Sequence, residues 1–421
     1  MLRGEPTIAE SRADQDAVRR RRPLARRRLA VRLTAGALGV MALSAGALVP
    51  PPATPGAGEQ AMATWAALHF PTPPPQAPAQ LAQQITDLGA RFNGRAGIAV
   101  RDLQGGWTAT HDGDTLYPQQ SVSKLWVAIS VLDAVDQGAI TLNDPVTVRR
   151  EDLSIFHQPI RDHVGRRGYA TTVGALLESA ATRSDNAAND VLMRLVGGPD
   201  QVRTVMTQKA LGAISLGDEE RYFQTRIAGL DWRPEFSFGR SFWQARAAIP
   251  QEIRRQALEA YLQDPADGAS PEAVVAALDR LQAGDLLSPE STAHLLGLMA
   301  ASQTGPMRLG GGLSEGWRLA HKTGTGQVMG ARATGYNDVG LLTAPDGRAY
   351  AVAVLIADTE ASIPERQALM QAVTRAVIEQ HQVLSPLPAD DAPFAPGALE
   401  TANVGADLSL RSGFPAPSPL P

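Results

Sequence analysis

Apolar residues recur along this chain at two periods, and each change of period marks a change of element. Gly97 to Asp102 and Trp107 to His111 flank Gln104-Gly105-Gly106, which predicts an early hairpin. Thr334 to Leu342 and Ala349 to Ala357 flank Asp346-Gly347, a second hairpin, with Trp317 to Thr323 as a strand before it. Helical patterns fill the space between. Leu125 to Val135 is apolar nearly all round, so it predicts a core helix with Ser121 at its start and Gly138 at its end. Thr172 to Ala181, a run to Val196 stopped by Gly197-Gly198-Pro199, and Asp200 to Leu211 predict three more. Ser270-Pro271-Glu272 and Ser288-Pro289-Glu290 each set a serine N-cap before a proline at N1. Ala79 to Phe92 supplies a first helix and Ile363 to His381 a long closing one, while the stretch around Asp218-Glu219-Glu220 reads as irregular. Strands at both ends and helices between predict an α+β fold, an antiparallel sheet from both chain ends packed against a mostly helical region.

The termini read differently. A net charge of −4 conceals ten arginines in residues 1–50, set against Glu5, Glu10, Asp14 and Asp16. The remainder is acidic and offers no footprint for nucleic acid. Arg19 to Arg32 precede an apolar stretch, Leu33 to Val49, that contains Ala45-Gly46-Ala47, the layout of an export signal cleaved after Ala47. An uncleaved membrane anchor is the alternative, and either predicts an exported, periplasmic protein. Residues 48–78 read as a Pro/Ala/Gly-rich linker, 79–384 as the folded domain and 385–421 as a disordered tail. There is no cysteine, so the exported domain stands on its packed core without disulfides.

Lysine usage brings in the chemistry. Of 39 basic residues only Lys124, Lys209 and Lys322 are lysines. Guanidinium does not lose its proton in a protein, whereas a buried ammonium can, so a lysine retained in an arginine-biased chain is a candidate proton carrier. Lys124 ends Ser121-Val122-Ser123-Lys124, and a serine and a lysine three residues apart share a helix face and can act as nucleophile and proton acceptor. Lys322 opens Lys322-Thr323-Gly324. A capping serine and a strand-end turn are the bland readings of the two motifs.

With Ser184-Asp185-Asn186 between them, the three motifs together resemble the serine penicillin-recognising enzymes, most closely the class A β-lactamases. The resemblance runs from about Ala79 to Gln382. It implies Ser121 as nucleophile, Lys124 as its proton acceptor, Ser184 as proton relay to the leaving nitrogen, and Lys322 as the group that polarises Ser184 and attracts the substrate carboxylate. It implies Asn186, Thr323, Gly324, Thr325 and Arg332 as substrate-binding residues, and the backbone N–H groups of Ser121 and Thr325 as oxyanion hole. The deacylating carboxylate of the family stands in Glu-Pro-x-Leu-Asn. Here the matching stretch is Glu220-Arg221-Tyr222-Phe223-Gln224, without the proline, so Glu220 is the candidate base and Glu219 its competitor.

A second departure is extra chain over about 227–268, which carries Trp232, Phe236, Phe238, Phe242 and Trp243. These aromatics either pack the insertion onto the domain or wall the pocket. The resemblance implies a serine β-lactamase, with a peptidoglycan D,D-peptidase or a non-hydrolytic β-lactam- or muropeptide-binding sensor as alternatives. The expected partner is a small β-lactam or a cell-wall peptide, met by a monomer whose only membrane contact is the N-terminal segment. No cofactor is implied. Scattered histidines argue against a zinc site, and Ser121 lacks the G-x-S-x-G elbow of Ser-His-Asp hydrolases.

Overall fold

The computed structural model describes residues 75–384. The expected export signal, most of the expected linker and the expected tail lie outside them. In chain order the main elements are α1 (Ala79–Arg91), β1 (Arg95–Asp102), β2 (Thr108–His111), α2 (Lys124–Asp136), α3 (Val173–Thr182), α4 (Asn186–Leu195), α5 (Pro199–Gln208) and α6 (Glu220–Ile227). They continue with α7 (Ser241–Ala248), α8 (Gln251–Gln263), α9 (Pro271–Ala283), α10 (Pro289–Ala300), β3 (Arg318–Thr325), β4 (Tyr336–Thr343), β5 (Ala349–Asp358) and α11 (Ile363–Leu384).

The sheet has the order β2-β1-β5-β4-β3, antiparallel throughout, so strands from both chain ends meet at β1 and β5. Strand β5 is buried on both faces, and its alternation sorts side chains by size. Ala351, Ala353, Leu355 and Ala357 face the helical region, while Tyr350, Val352, Val354 and Ile356 face α1 and α11. Small residues on the first face let the helices approach closely. Helix α2 runs through the middle of that helical core, buried from Lys124 to Leu132. Serines 270 and 288 cap α9 and α10 as predicted, each accepting a backbone N–H at 3.2 Å. The expected α+β architecture is the observed one.

Two local expectations are corrected. Ser121 does not open α2; it lies in a 3-10 turn, Gln120–Ser123, and α2 begins at Lys124. The stretch read as irregular becomes helix α6 from Glu220 onward. Its cap comes from elsewhere in the chain. Asp190 Oδ1 accepts the Glu220 N–H at 2.7 Å, and Oδ2 accepts that of Arg221 at 3.3 Å, placing a carboxylate at the helix N-terminus.

Candidate active site

The nucleophile turn is held in an unusual shape. Gln120 has φ +53°, a left-handed value that a non-glycine residue keeps only when its surroundings fix it. Asp267 Oδ2 takes the Gln120 N–H at 2.6 Å, and Asn337 Nδ2 donates to the carbonyls of Pro118 and Gln119 at 2.7 and 2.9 Å. Gly324 sits against the same turn: a Cβ there would lie 2.2 Å from the Gln119 carbonyl oxygen. Glycine in the third motif is thus required by the close approach of β3 to the turn.

Within this frame the three motifs converge. Lys124 Nζ donates to Ser121 Oγ at 2.9 Å and to Glu220 Oε1 at 2.5 Å. Lys322 Nζ donates to Ser184 Oγ at 2.9 Å and to its neighbour's carbonyl, Thr323 O, at 3.0 Å. Burial, with the charges of Lys124 and Arg308 nearby, holds the Lys322 ammonium well below the usual lysine range. Asp185 caps α4 through Ala188 N–H and also binds Ile160 N–H, so it fixes the loop that carries Ser184. Asn186 Nδ2 donates to the Ile155 carbonyl at 2.8 Å, which ties the same loop to residues 155–160.

The motifs open on a cleft of about 260 Å³ whose lining includes Ser121, Ser184, Asn186, Glu220, Thr323 and Thr325. Wider grooves lie between α1 and α11 and beside α5, and neither gathers such a set. The two acidic candidates part company. Glu220 reaches Lys124, while Glu219 is engaged by Arg194 and Arg221 away from Ser121. Helix α6 also presents Gln224, whose Nε2 donates to Glu220 Oε2 at 3.1 Å.

Arg332 is not at the cleft. Its guanidinium makes two 2.6 Å bonds to Asp358, so its pairing with β5 takes it away from the threonines. The arginine that does line the cleft is Arg308, which sequence reasoning missed. It donates to the carbonyls of Gly324 and Asn337 at 2.8 and 2.6 Å and to Thr325 Oγ1 at 2.6 Å, with Tyr336 stacked beneath it at 3.8 Å. Thr304, also unforeseen, shares a 2.7 Å hydroxyl contact with Thr323. Among the described residues there is no cluster of His, Cys, Asp or Glu suited to a metal ion, and no helix long and apolar enough to cross a membrane.

A sequence model described as the beta-lactamase enzyme family matches residues 80–381. An ancestral class A β-lactamase of known structure is 30% identical, with a TM-score of 0.56 over 72% of this chain and 100% of its own. The chain belongs to the class A β-lactamase family.

Other members lie at similar distances. The VEB-1 β-lactamase of Pseudomonas aeruginosa is 25% identical over 66% of this chain and 83% of its own. The extended-spectrum β-lactamase PER-1, from the same organism, is 27% identical over 62% and 75%. A β-lactamase structure from Chitinophaga pinensis is 27% identical with a TM-score of 0.60, covering 72% of this chain and 99% of its own.

The 228–268 segment of this family member folds as a 3-10 turn (Pro234–Ser237) followed by α7 and α8. Phe236 and Phe242 are buried against Ile155 and Ala228, so these aromatics pack the segment onto the domain. The residue that reaches the cleft is Phe156, from the loop beside Asn186. Phe156 has φ +61° and is held edge-on by Phe242 at 5.0 Å and stacked by Trp243 at 5.6 Å.

Proposed function

We propose that the protein is a serine β-lactamase that opens the lactam amide through an acyl-enzyme on Ser121. The observation that carries this reading is the position of Lys124 Nζ between Ser121 Oγ and Glu220 Oε1. An ammonium cannot accept a proton, so Lys124 first passes one to Glu220 and, neutral, takes the Ser121 proton as Oγ attacks the lactam carbonyl. The C–N bond breaks as Ser184 gives its hydroxyl proton to the nitrogen. The two lysines restore the Ser184 proton and recover the one held by Glu220. The low proton affinity of Lys322 suits it to this donation. Glu220, again a carboxylate, takes a proton from the water that attacks the ester, and returns it as Ser121 Oγ leaves.

Binding follows from the same side chains. Arg308 donates to Thr325 Oγ1, which leaves the Thr325 proton free for a substrate carboxylate beside Lys322. The second N–H of the Asn186 amide remains for the acyl side-chain carbonyl. The backbone N–H groups of Ser121 and Thr325 serve as oxyanion hole, where losing one donor costs about 3 kcal/mol in the transition state. Residues 1–47 export the protein to the periplasm in this reading, and it works as a monomer.

Intact-mass spectrometry of the mature protein with a chromogenic cephalosporin tests the proposal. Wild type should return quickly to its free mass as product accumulates, and Glu220→Gln, in which Lys124 must give its proton to solvent before Ser121 can attack, should acylate slowly and then hold the adduct on Ser121. A persistent wild-type adduct would point instead to a peptidase or a sensor. No adduct would mean the site serves another acyl substrate.

A further inference from the structure

The 228–268 segment reaches the nucleophile turn through Asp267, and the side chain of Gln120 through one hydroxyl. Tyr261, on α8, is buried with its ring edge-on to Phe223 at 5.6 Å. Its O–H donates to Asp267 Oδ1 at 2.9 Å, and burial together with the Asp267 charge holds the phenol well above the usual tyrosine range, so that proton stays. With its proton committed, the Tyr261 oxygen is left as an acceptor, and Gln120 Nε2 donates to it at 2.6 Å. This turns Gln120 Oε1 toward Gln224 Nε2, 2.9 Å away, and the same Gln224 Nε2 donates to Glu220 Oε2. Gln224 Oε1 in turn accepts from Gln327 Nε2 at 3.1 Å.

A glutamine amide turned end for end has almost the same shape, so packing alone does not choose its orientation. In this chain the choice comes from partners with fixed polarity. We propose that Tyr261 is a positioning residue: with Asp267 it fixes the Gln120 amide, and through it the Gln224 amide, so that Gln224 turns an N–H and not a C=O toward Glu220. The inference rests on Glu220 being the deacylating base in the reading above. Turned over, Gln224 would set its carbonyl against the Glu220 carboxylate, a repulsion relieved when Glu220 takes a proton.

The charged and titratable groups that face Glu220 are Lys124 from α2, Lys322 from β3, Asp190 from α4, and Tyr261 and Asp267 from the 228–268 segment. Tyr261→Phe keeps all of them except the one hydroxyl, and keeps the ring against Phe223. Kinetics are read from pH 5 to 9, so that Asp267, which burial pushes up to about 7, titrates within the range in every variant.

The variant should lose about tenfold in the deacylation rate constant at pH 7.5, and the acid limb of its kcat profile should move up by about one unit. Acylation uses Glu220 only to hold the Lys124 proton in passing, whereas deacylation needs it to take a proton from water, so kcat should fall more than kcat/KM, which should stay within about threefold, and KM should fall with kcat. Gln120→Leu should reproduce the loss, and adding Tyr261→Phe to it should cost nothing more. A lowered Tm with an unmoved acid limb, an equal fall in kcat and kcat/KM, or additive losses in the double variant would each overturn the inference. Absence of β-lactam turnover in the wild type would instead sink the functional reading, and this inference with it.

Discussion

One wall of the cleft comes from three short motifs, the other from the chain between Asp218 and Gly268. In the first wall each reactive group sits inside a short motif, although Lys322 reaches Ser184 from far along the chain. Lys124 stands three residues from Ser121 and bonds to it directly, and the N–H groups that Asp185 holds fix the loop of Ser184. In the second wall Glu220 owes its position to groups far along the chain. Asp190 caps its helix, Lys124 binds its carboxylate, and Gln224 faces it in an orientation set from Tyr261. A motif can carry reactive groups by itself. The polarity of the groups around them is a property of the folded chain.

The hardest test of that contrast separates neighbours within the second wall. Glu220→Gln should cut deacylation by about 10³-fold, the scale of a positioned general base, and leave the acyl-enzyme trapped. Glu219→Gln removes the partner of Arg194 and Arg221 and should lower Tm with kcat nearly unchanged. Stopped-flow kinetics and thermal melts on the two variants decide it. Equal kinetic losses would mean that the two walls do not divide the chemistry this way.

The first wall can be broken at Arg308, which braces the third motif from a neighbouring loop. Arg308→Lys keeps a charge but loses the planar fork that serves two carbonyls and Thr325 Oγ1, and kcat/KM should fall about tenfold. Arg332→Ala severs the Asp358 pair and the looser 3.8 Å contact with Glu259, so it should cost a little stability and leave steady-state kinetics alone. The reverse pattern would restore Arg332 to the carboxylate site.

Much of the sheet was legible because its signals are local: alternation along each strand and Gly-containing turns between them. Helix α2 was legible from its apolar circumference, but its start was placed three residues early. The 3-10 turn depends on Gln120, whose left-handed backbone is held by Asp267 and Asn337, and no local pattern announces that. Helix α6 was missed because its capping carboxylate, Asp190, lies thirty residues upstream. Arg332 was chosen for its nearness in sequence to Lys322-Thr323-Gly324. Arg308 lies between Pro306 and Gly310 in a loop with no periodic signal, and only the folded chain brings it to β3.

Asp190 offers a pH-dependent test of the second wall. Burial, and then the charge of Glu220, push its carboxyl up to about 7 despite bonds from Ser154 and the Glu220 N–H. A carboxyl raised from 3.8 binds its proton more tightly in the folded state. The stability this adds is complete below the unfolded value and is lost as pH rises through about 7. Asp190→Asn removes the charge and keeps an acceptor for the helix end. It should therefore raise Tm by about 3 °C at pH 8 relative to wild type, with a smaller gain at pH 5. A gain that does not grow with pH would show that the buried charge is not what limits stability here.

The smallest expected effect lies where the two walls touch. Phe156 lines the cleft from the loop bound to Asn186, but Phe242 and Trp243 of the 228–268 segment hold its ring. Phe242 is buried, whereas Trp243 is 49% exposed, so Trp243→Ala should remove the stacking partner without opening the core. An aromatic pair is worth about 0.5–1.5 kcal/mol beyond its buried area, which corresponds to a factor of roughly 2–10 in how often Phe156 holds its place. If Phe156 bounds the acyl side-chain pocket, a β-lactam with an aryl side chain meets this ring and the bare bicyclic nucleus does not. The ratio of kcat/KM for benzylpenicillin to that for 6-aminopenicillanic acid should then fall by about threefold, with the value for the bare nucleus unchanged. Equal changes for both substrates would mean that Trp243 acts on the fold at large, and that the aromatic cluster serves packing alone.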